Sequence, residues 1–426
     1  MAQTQSRVAT AKKISYRVLG SFYGKGIIFL ATAYVSRALG PEYYGHVSLV
    51  LSLYSIFMLL GGFQLSKAVA TWVAQEPSHS RTIVTHGFAF QTIAFVATLA
   101  LFQIAFRLFD PLGDPIASDL FVRYMPFIVL YIFSETMKCM LQGLNKIRYM
   151  TILEALQGTL KAASVVVFIM LFAKTGWLQG RIIGEVFSTV LIAVLLIPVF
   201  TKSLDGKAGI ADGRLWKRFK HYYTWSTVSG GIVQIQLHLQ PFLVLWILHD
   251  TSEIAFIKIA LLYLTSLSLF STSITTALYA DIAKLHNDRH AILRHLDKTL
   301  VVSGGISILL AVVLAVVAKP LILLLHGEAY LPVVPLFRVF MLASVFQHVS
   351  FVNGGYWLAV GNVKLQSYFA IVSVVLFLLF NFMLVGRCQL MGLAWAMVLS
   401  RFANALLSYI SSRKWILTGI VRGSAT

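Results

Sequence analysis

The stretch Val301-Val-Ser-Gly-Gly-Ile-Ser-Ile-Leu-Leu-Ala-Val-Val-Leu-Ala-Val-Val317 contains no charged residue and no regular alternation of polar and apolar positions. A barrel strand needs that alternation over about ten residues. As an α-helix rising 1.5 Å per residue, the stretch covers about 25 Å, close to the hydrocarbon thickness of a bilayer. Val372 to Leu384 is a second such run. The whole 426-residue chain is 58% hydrophobic and only 12% charged, against about 25% charged in soluble proteins, and its mean hydropathy is +0.80. A soluble globular fold is excluded, because too little polar surface is available to cover one.

Apolar runs bounded by charges and turn residues predict an all-α polytopic membrane protein of about twelve transmembrane helices, arranged as two six-helix lobes around a central cavity. The first lobe, residues 1–200, holds spans at roughly 16–37, 45–66, 83–106, 120–140, 150–173 and 177–200. A cytoplasmic linker, residues 201–222, follows. Trp216, Phe219 and Tyr223 recur there at helical spacing among Lys217, Arg218 and Lys220, the pattern of an amphipathic helix lying on a leaflet. The second lobe, residues 223–426, holds spans at roughly 223–248, 254–280, 299–324, 331–357, 365–386 and 390–412. Ala31-Thr-Ala33 mimics a signal-peptide cleavage site, but the apolar run before it is short, so the first span reads as an uncleaved helix.

Thirty-five Lys and Arg against sixteen Asp and Glu give a net charge of +19. In a soluble chain this would suggest nucleic acid, but here the cations sort by loop. Alternate loops, starting with the N-terminal Arg7, Lys12, Lys13 and Arg17 and including Lys138, hold twenty-three of them; the intervening loops hold six. The positive-inside rule then places both termini in the cytoplasm. Cys139 and Cys388 fall on opposite sides of the bilayer, which rules out a disulfide between them.

Matched residues suggest a duplicated unit. Gly143-Leu-Asn-Lys146 pairs with Gly361-Asn-Val-Lys364 at an offset of 218, Gly180 and Ser188 with Gly392 and Ser400 at 212, and Gly45 with Ala255 at 210. The glycine pairs Gly61-Gly62, Gly230-Gly231, Gly304-Gly305 and Gly354-Gly355 suit either hinges or close helix packing. No Gly-x-Ser-x-Gly, His-Glu-x-x-His, Walker or Cys-x-x-Cys motif occurs, and the loops are short, which argues against an enzyme.

Six cations fall inside predicted spans: Lys25, Lys161, Arg181, Lys258, Arg338 and Arg401, against Glu135, Glu154 and Glu185. Each costs about 2.5–3.5 kcal/mol at mid-bilayer unless it meets a partner or a watery cavity. Lys25, Lys161 and Arg401 lie deepest, Arg338 is intermediate, and Arg181 and Lys258 are near enough to the span ends to snorkel. Arg181 and Glu185, four apart, can pair on one helical face. Glu154 and Lys161 share a face but stand about 10.5 Å apart in rise. Glu154 is the least obviously paired carboxylate, a candidate for proton or sodium coupling. Span seven carries Gln234, Gln236, His238 and Gln240 before Pro241, polarity suited to helix packing or, at His238, to a proton site. The cation excess suits an anionic guest, with Lys25, Lys161, Arg401 and Arg338 as its candidate ligands.

Ser36-Arg-Ala-Leu-Gly-Pro-Glu-Tyr-Tyr-Gly-His-Val-Ser-Leu49 resembles the signature of Wzx-type polysaccharide transporters of the multidrug/oligosaccharidyl-lipid/polysaccharide exporter superfamily. Tyr279-Ala-Asp-Ile-Ala-Lys-Leu285, His326-Gly-Glu-Ala-Tyr-Leu331 and Leu358-Ala-Val-Gly-Asn362 resemble its second-half pattern, except that a proline usual near position 280 is missing. The resemblance implies a flippase that turns a polyprenyl-pyrophosphate-linked oligosaccharide across the bacterial inner membrane. Its implied partners are that lipid, membrane lipids and other polysaccharide assembly proteins, without nucleic acid; its implied cofactors are none beyond a coupling proton or sodium ion. The competing readings are a multidrug/cation antiporter of the same superfamily, whose cavity would be expected to be acidic, and a membrane glycosyl polymerase.

Overall fold

The computed structural model describes residues 2–62, 80–109, 111–144, 146–203, 236–284, 289–359 and 363–418, together with Leu65, Val69, Val73 and Gly231. The predicted amphipathic linker helix, Gln234 and Gly230 lie outside these residues. The chain divides into two compact units, Met1–Thr227 and Val228–Thr426.

In the first unit, α1 (Ala2–Leu60) carries spans one and two, broken at Gly40 (φ 73°, ψ 167°) before Pro41. Glycine tolerates that conformation, and proline cannot donate the amide hydrogen bond a continuous helix would require. Span three is α2 (Ser80–Leu108). Span four begins at Pro115 rather than near 120: α3 (Pro115–Tyr124) has the Asp114 side chain accepting the Ala117 amide as N-cap and proline in its first turn. A 3₁₀ turn at Met125–Phe127, containing Pro126, then leads into α4 (Ile128–Gly143). Spans five and six are α5 (Ile147–Phe172) and α6 (Gly176–Ser203), joined by the 3₁₀ turn Ala173–Thr175.

The second unit opens with the short helix α7 (Gln236–Leu248) and the long α8 (Thr251–Lys284). α8 runs through Ala280-Asp281, so the missing proline is accompanied by a helix that continues past that point. Span nine is displaced from its expected place: α9 (Arg289–Val316) starts at Arg289 instead of 299, nearly three helical turns earlier and within the preceding charged segment. A separate helix, α10 (Ala318–Leu325), occupies the predicted end of the span. Span ten is α11 (Val333–Ala359), and α12 (Val363–Thr418) carries spans eleven and twelve, broken at Gln389 (φ 48°, ψ −132°). Among the described residues there is no strand, and eight helical segments are long and apolar enough to span a bilayer, whereas α7 is shorter.

The turns settle the register of the duplication. The connections between spans one and two, three and four, and five and six use positive-φ residues Gly40, Gly113 and Ala173; the corresponding turns of the second unit use His249, Gly327 and Gln389. Ala173 (52°, −131°) and Gln389 (48°, −132°) share one backbone geometry. Three residues on, a Cβ on Gly176 would stand 2.0 Å from the Phe168 carbonyl oxygen, and one on Gly392 would stand 2.3 Å from that of Leu384. Ala173 with Gln389, Gly176 with Gly392 and Phe168 with Leu384 all have an offset of 216, against 209 for Gly40 with His249 and 214 for Gly113 with Gly327, so in this hairpin Gly176, not Gly180, is the counterpart of Gly392. The sequence match at 212 was out by one helical turn.

Candidate functional site: two joined cavities in the first unit

Small residues let the backbones meet where the charged side chains stand. A Cβ on Gly158 would lie 3.0 Å from the Gly24 carbonyl oxygen, and one on Gly24 would lie 3.3 Å from that of Glu154. Spans one and five therefore approach closely at this pair, in the manner of small-residue contacts in membranes. A Cβ on Gly184 would lie 3.1 Å from Lys161 Cα, and this close approach of α6 sets Glu185 against the lysine.

Beside the glycine contact is a cavity lined by Lys25, Glu135, Lys138, Glu154, Gln157 and Lys161, among others. Lys25 and Lys161 thus share one cavity, as does Glu154. A second cavity adjoins it through Ile28, Tyr131 and Lys161, and is lined further along by Tyr44, Tyr54, Trp177 and Arg181.

Ion pairs organise these walls. Lys161 Nζ lies 2.6 Å from Glu185 Oε2, and 4.2 Å from the centroid of the Tyr131 ring. Glu185 is fully buried; Arg181 reaches it at 3.7 Å and Tyr124 Oη donates to it at 3.3 Å. Arg181 Nε in turn donates to Tyr124 Oη at 3.0 Å, so this side chain turns into the protein instead of snorkelling. Lys138 pairs with Glu135 at 2.6 Å and is buried within α4. That overturns its assignment to a solvated loop: the polar face of span four, not the span's end, carries it.

The sequence did not single out Lys138, Tyr131 or Glu185 as site residues. The three-residue spacing of Glu135 and Lys138 was the available signal for the first. Glu185 was visible only as a partner for Arg181, since its contact with Lys161 joins separate helices.

In the second unit Arg401 is buried, and its Nε and Nη2 find no acceptor among the described residues. Arg338 is exposed and donates through Nε to the Ala315 carbonyl oxygen at 3.2 Å. His238 is half-buried, with Nδ1 unbonded among the described residues; on the same helix Gln236 accepts from Ser373 Oγ at 3.4 Å. His348 bridges Ser271 and Ser303, 2.8 Å from each, through its two ring nitrogens.

Each unit also ties its second span to the connection between its third and fourth by a histidine. His46 Nδ1 lies 2.6 Å from Asp114 Oδ2. Burial raises the Asp114 carboxyl, but hydrogen bonds from His46 and the Ala117 amide outweigh it and hold the group below its ordinary range. In the second unit Tyr263 Oη lies 3.1 Å from His326 Nε2, and burial pushes His326 down to about 4.

Among the described residues the fold is helical, and its first unit holds two adjoining cavities lined in part by charged side chains. The fold is similar to that of a multidrug resistance MATE family transporter of the MOP superfamily whose structure is described as its inward-facing conformation, with a TM-score of 0.76 at 15% identity over 94% of this chain and 96% of the other. A MOP superfamily transporter from Pyrococcus furiosus, described as having a binding pocket of reverse polarity, gives 0.73 at 15% identity, covering 96% of both chains. The family described as polysaccharide biosynthesis protein matches residues 10–286, and the chain belongs to it. Among curated relatives, the succinoglycan biosynthesis transport protein ExoT of Rhizobium meliloti (strain 1021) is 27% identical over 129 residues, 30% of this chain. That match spans 25% of the relative's length.

Proposed function

We propose that this transporter is a flippase that carries a polyprenyl-pyrophosphate-linked oligosaccharide from the inner to the outer face of the cytoplasmic membrane for surface polysaccharide assembly. Its two units alternate access, and both termini lie in the cytoplasm. The observation that carries the reading is the shared cavity of Lys25 and Lys161, whose named charged lining adds Lys138 against Glu135 and Glu154. A pyrophosphate would be held there by charge-assisted contacts to Lys25 and Lys161, competing with Glu185 for the latter, while the prenyl chain stays in lipid. Arg401, a buried guanidinium short of acceptors, supplies a cation from the second unit, and Glu154 is the carboxylate proposed to exchange the coupling proton or sodium ion.

Transport of a fluorescent lipid-pyrophosphate oligosaccharide in proteoliposomes tests this. Lys25→Ala, Lys161→Ala and Arg401→Ala are each expected to lower substrate affinity about 10- to 100-fold, the loss of one charge-assisted contact. Wild-type transport by all three ends the anionic reading. Uptake of organic cations in place of the glycolipid favours the antiporter.

A further inference from the structure

Resting on the flippase reading, we propose that the second cavity is a saccharide subsite. It receives the first sugar of the anionic glycolipid while the neighbouring cavity holds the phosphate. A hexose presents a face of C–H groups and a rim of hydroxyls. Its complement is an aromatic wall with a few convergent polar groups.

The second cavity has these parts. Tyr44, Tyr54, Tyr131 and Trp177 supply the aromatic wall and Arg181 a planar donor. Tyr54 Oη is buried and finds no hydrogen-bond partner among the described residues, an expensive state for a hydroxyl that a ligand hydroxyl would relieve. Lys161 and Tyr131 line both cavities, so a phosphate on Lys161 carries its attached sugar to the mouth of the aromatic one. A prenyl chain would leave Tyr54 and Arg181 facing hydrocarbon. An organic cation would meet Lys161 and Arg181.

Calorimetry on the full-length protein in nanodiscs tests the subsite, with inorganic phosphate, glucose 1-phosphate, galactose 1-phosphate and N-acetylglucosamine 1-phosphate as probes. At least one sugar phosphate is expected to bind about tenfold more tightly than inorganic phosphate. Tyr54→Phe and Trp177→Leu should each shrink that margin to threefold or less and leave inorganic phosphate within twofold of wild type. Lys161→Ala should weaken all probes together.

If every sugar phosphate binds like inorganic phosphate, or if Tyr54→Phe keeps the full margin, the subsite is wrong while a Lys161-dependent phosphate site still stands. Failure of all four probes to bind overturns both readings. The Tyr54→Phe variant removes one oxygen, so its result does not depend on the fate of the larger Trp177 change.

Discussion

The hairpin of spans five and six and that of spans eleven and twelve turn through the same backbone geometry, yet they carry opposite solutions to buried charge. At the structural offset of 216, Lys161 corresponds to Phe377 and Glu185 to Arg401. The first hairpin neutralises its lysine against a carboxylate across the helix interface. The second keeps one guanidinium, with a buried phenylalanine where the pairing residue would be. The wider interiors follow suit. The first unit's buried ion pairs are Lys138 with Glu135 and Lys161 with Glu185, whereas in the second the ion pair of Arg413 with Asp297 is partly exposed and buried contacts such as Ser271–His348–Ser303 and Ser412 donating to Asn353 are neutral. One backbone plan thus tolerates both, because the turn and the glycine contact, not the charges, define the hairpin.

The largest effect should come from breaking the first hairpin's pair. Glu185→Ala leaves Lys161 and Arg181 buried without their carboxylate, a loss of about 3–5 kcal/mol. Little folded protein should survive detergent extraction and heating. Lys161→Phe combined with Glu185→Leu, which makes the site apolar, should regain most of the melting temperature without transport. A double variant as unstable as the single would show that the network, and not the pair, is what stabilises the hairpin.

Arg401 should respond in the opposite sense. Replacing it by Leu removes a buried charge without a full set of acceptors, and the melting temperature should rise by a few degrees while glycolipid transport falls. A lower melting temperature would reveal a partner that makes the two hairpins alike.

The register itself is open to test. Gly176→Ala and Gly392→Ala should each cost about 1–3 kcal/mol by overpacking, because both Cβ atoms would meet a carbonyl oxygen of the preceding helix. A large loss at one and none at the other breaks the equivalence.

Acid should separate the units. A depressed histidine binds its proton more readily when unfolded, so the His326 contribution is complete above the unfolded pKa of about 6.5. It declines as pH falls from there toward about 4. Asp114, a depressed carboxylate, contributes above its unfolded value of about 3.9 and loses that contribution only at lower pH. Thermal melts between pH 7 and pH 4.5 should show a slope that His326→Gln flattens and Asp114→Asn does not.

The smallest change is local. Ala173→Gly and Gln389→Gly place glycine at positive φ and should each gain about 1 kcal/mol, read as matched rises in melting temperature.

The fold class was legible in the sequence because lipid demands long apolar runs, and Val301 to Val317 could be little else. Most span boundaries followed from charges and prolines, but α9 and α10 did not. The first takes in the charged segment Arg289–Lys298 as helix, and the second follows a break at Val317 that the apolar pattern does not mark. The site was half legible. Depth along the spans picked out Lys161 and Arg401, which are buried, and Lys25, which lines the first cavity from an exposed position. What sequence spacing could not show was contact between helices, so Glu185 and Tyr131 at Lys161 were missed, and Lys138 was assigned to the wrong environment.

The three-residue turn Ala173–Thr175 also bears on how the protein is made. A lysine entering the bilayer on a lone helix pays the full cost of its charge, and so does a glutamate. The tight turn brings Lys161 and Glu185 face to face as soon as α6 leaves the ribosome behind α5. The two spans can then partition into lipid together as a nearly neutral hairpin, whereas the last span must carry Arg401 into the membrane with no such companion on α12's earlier half.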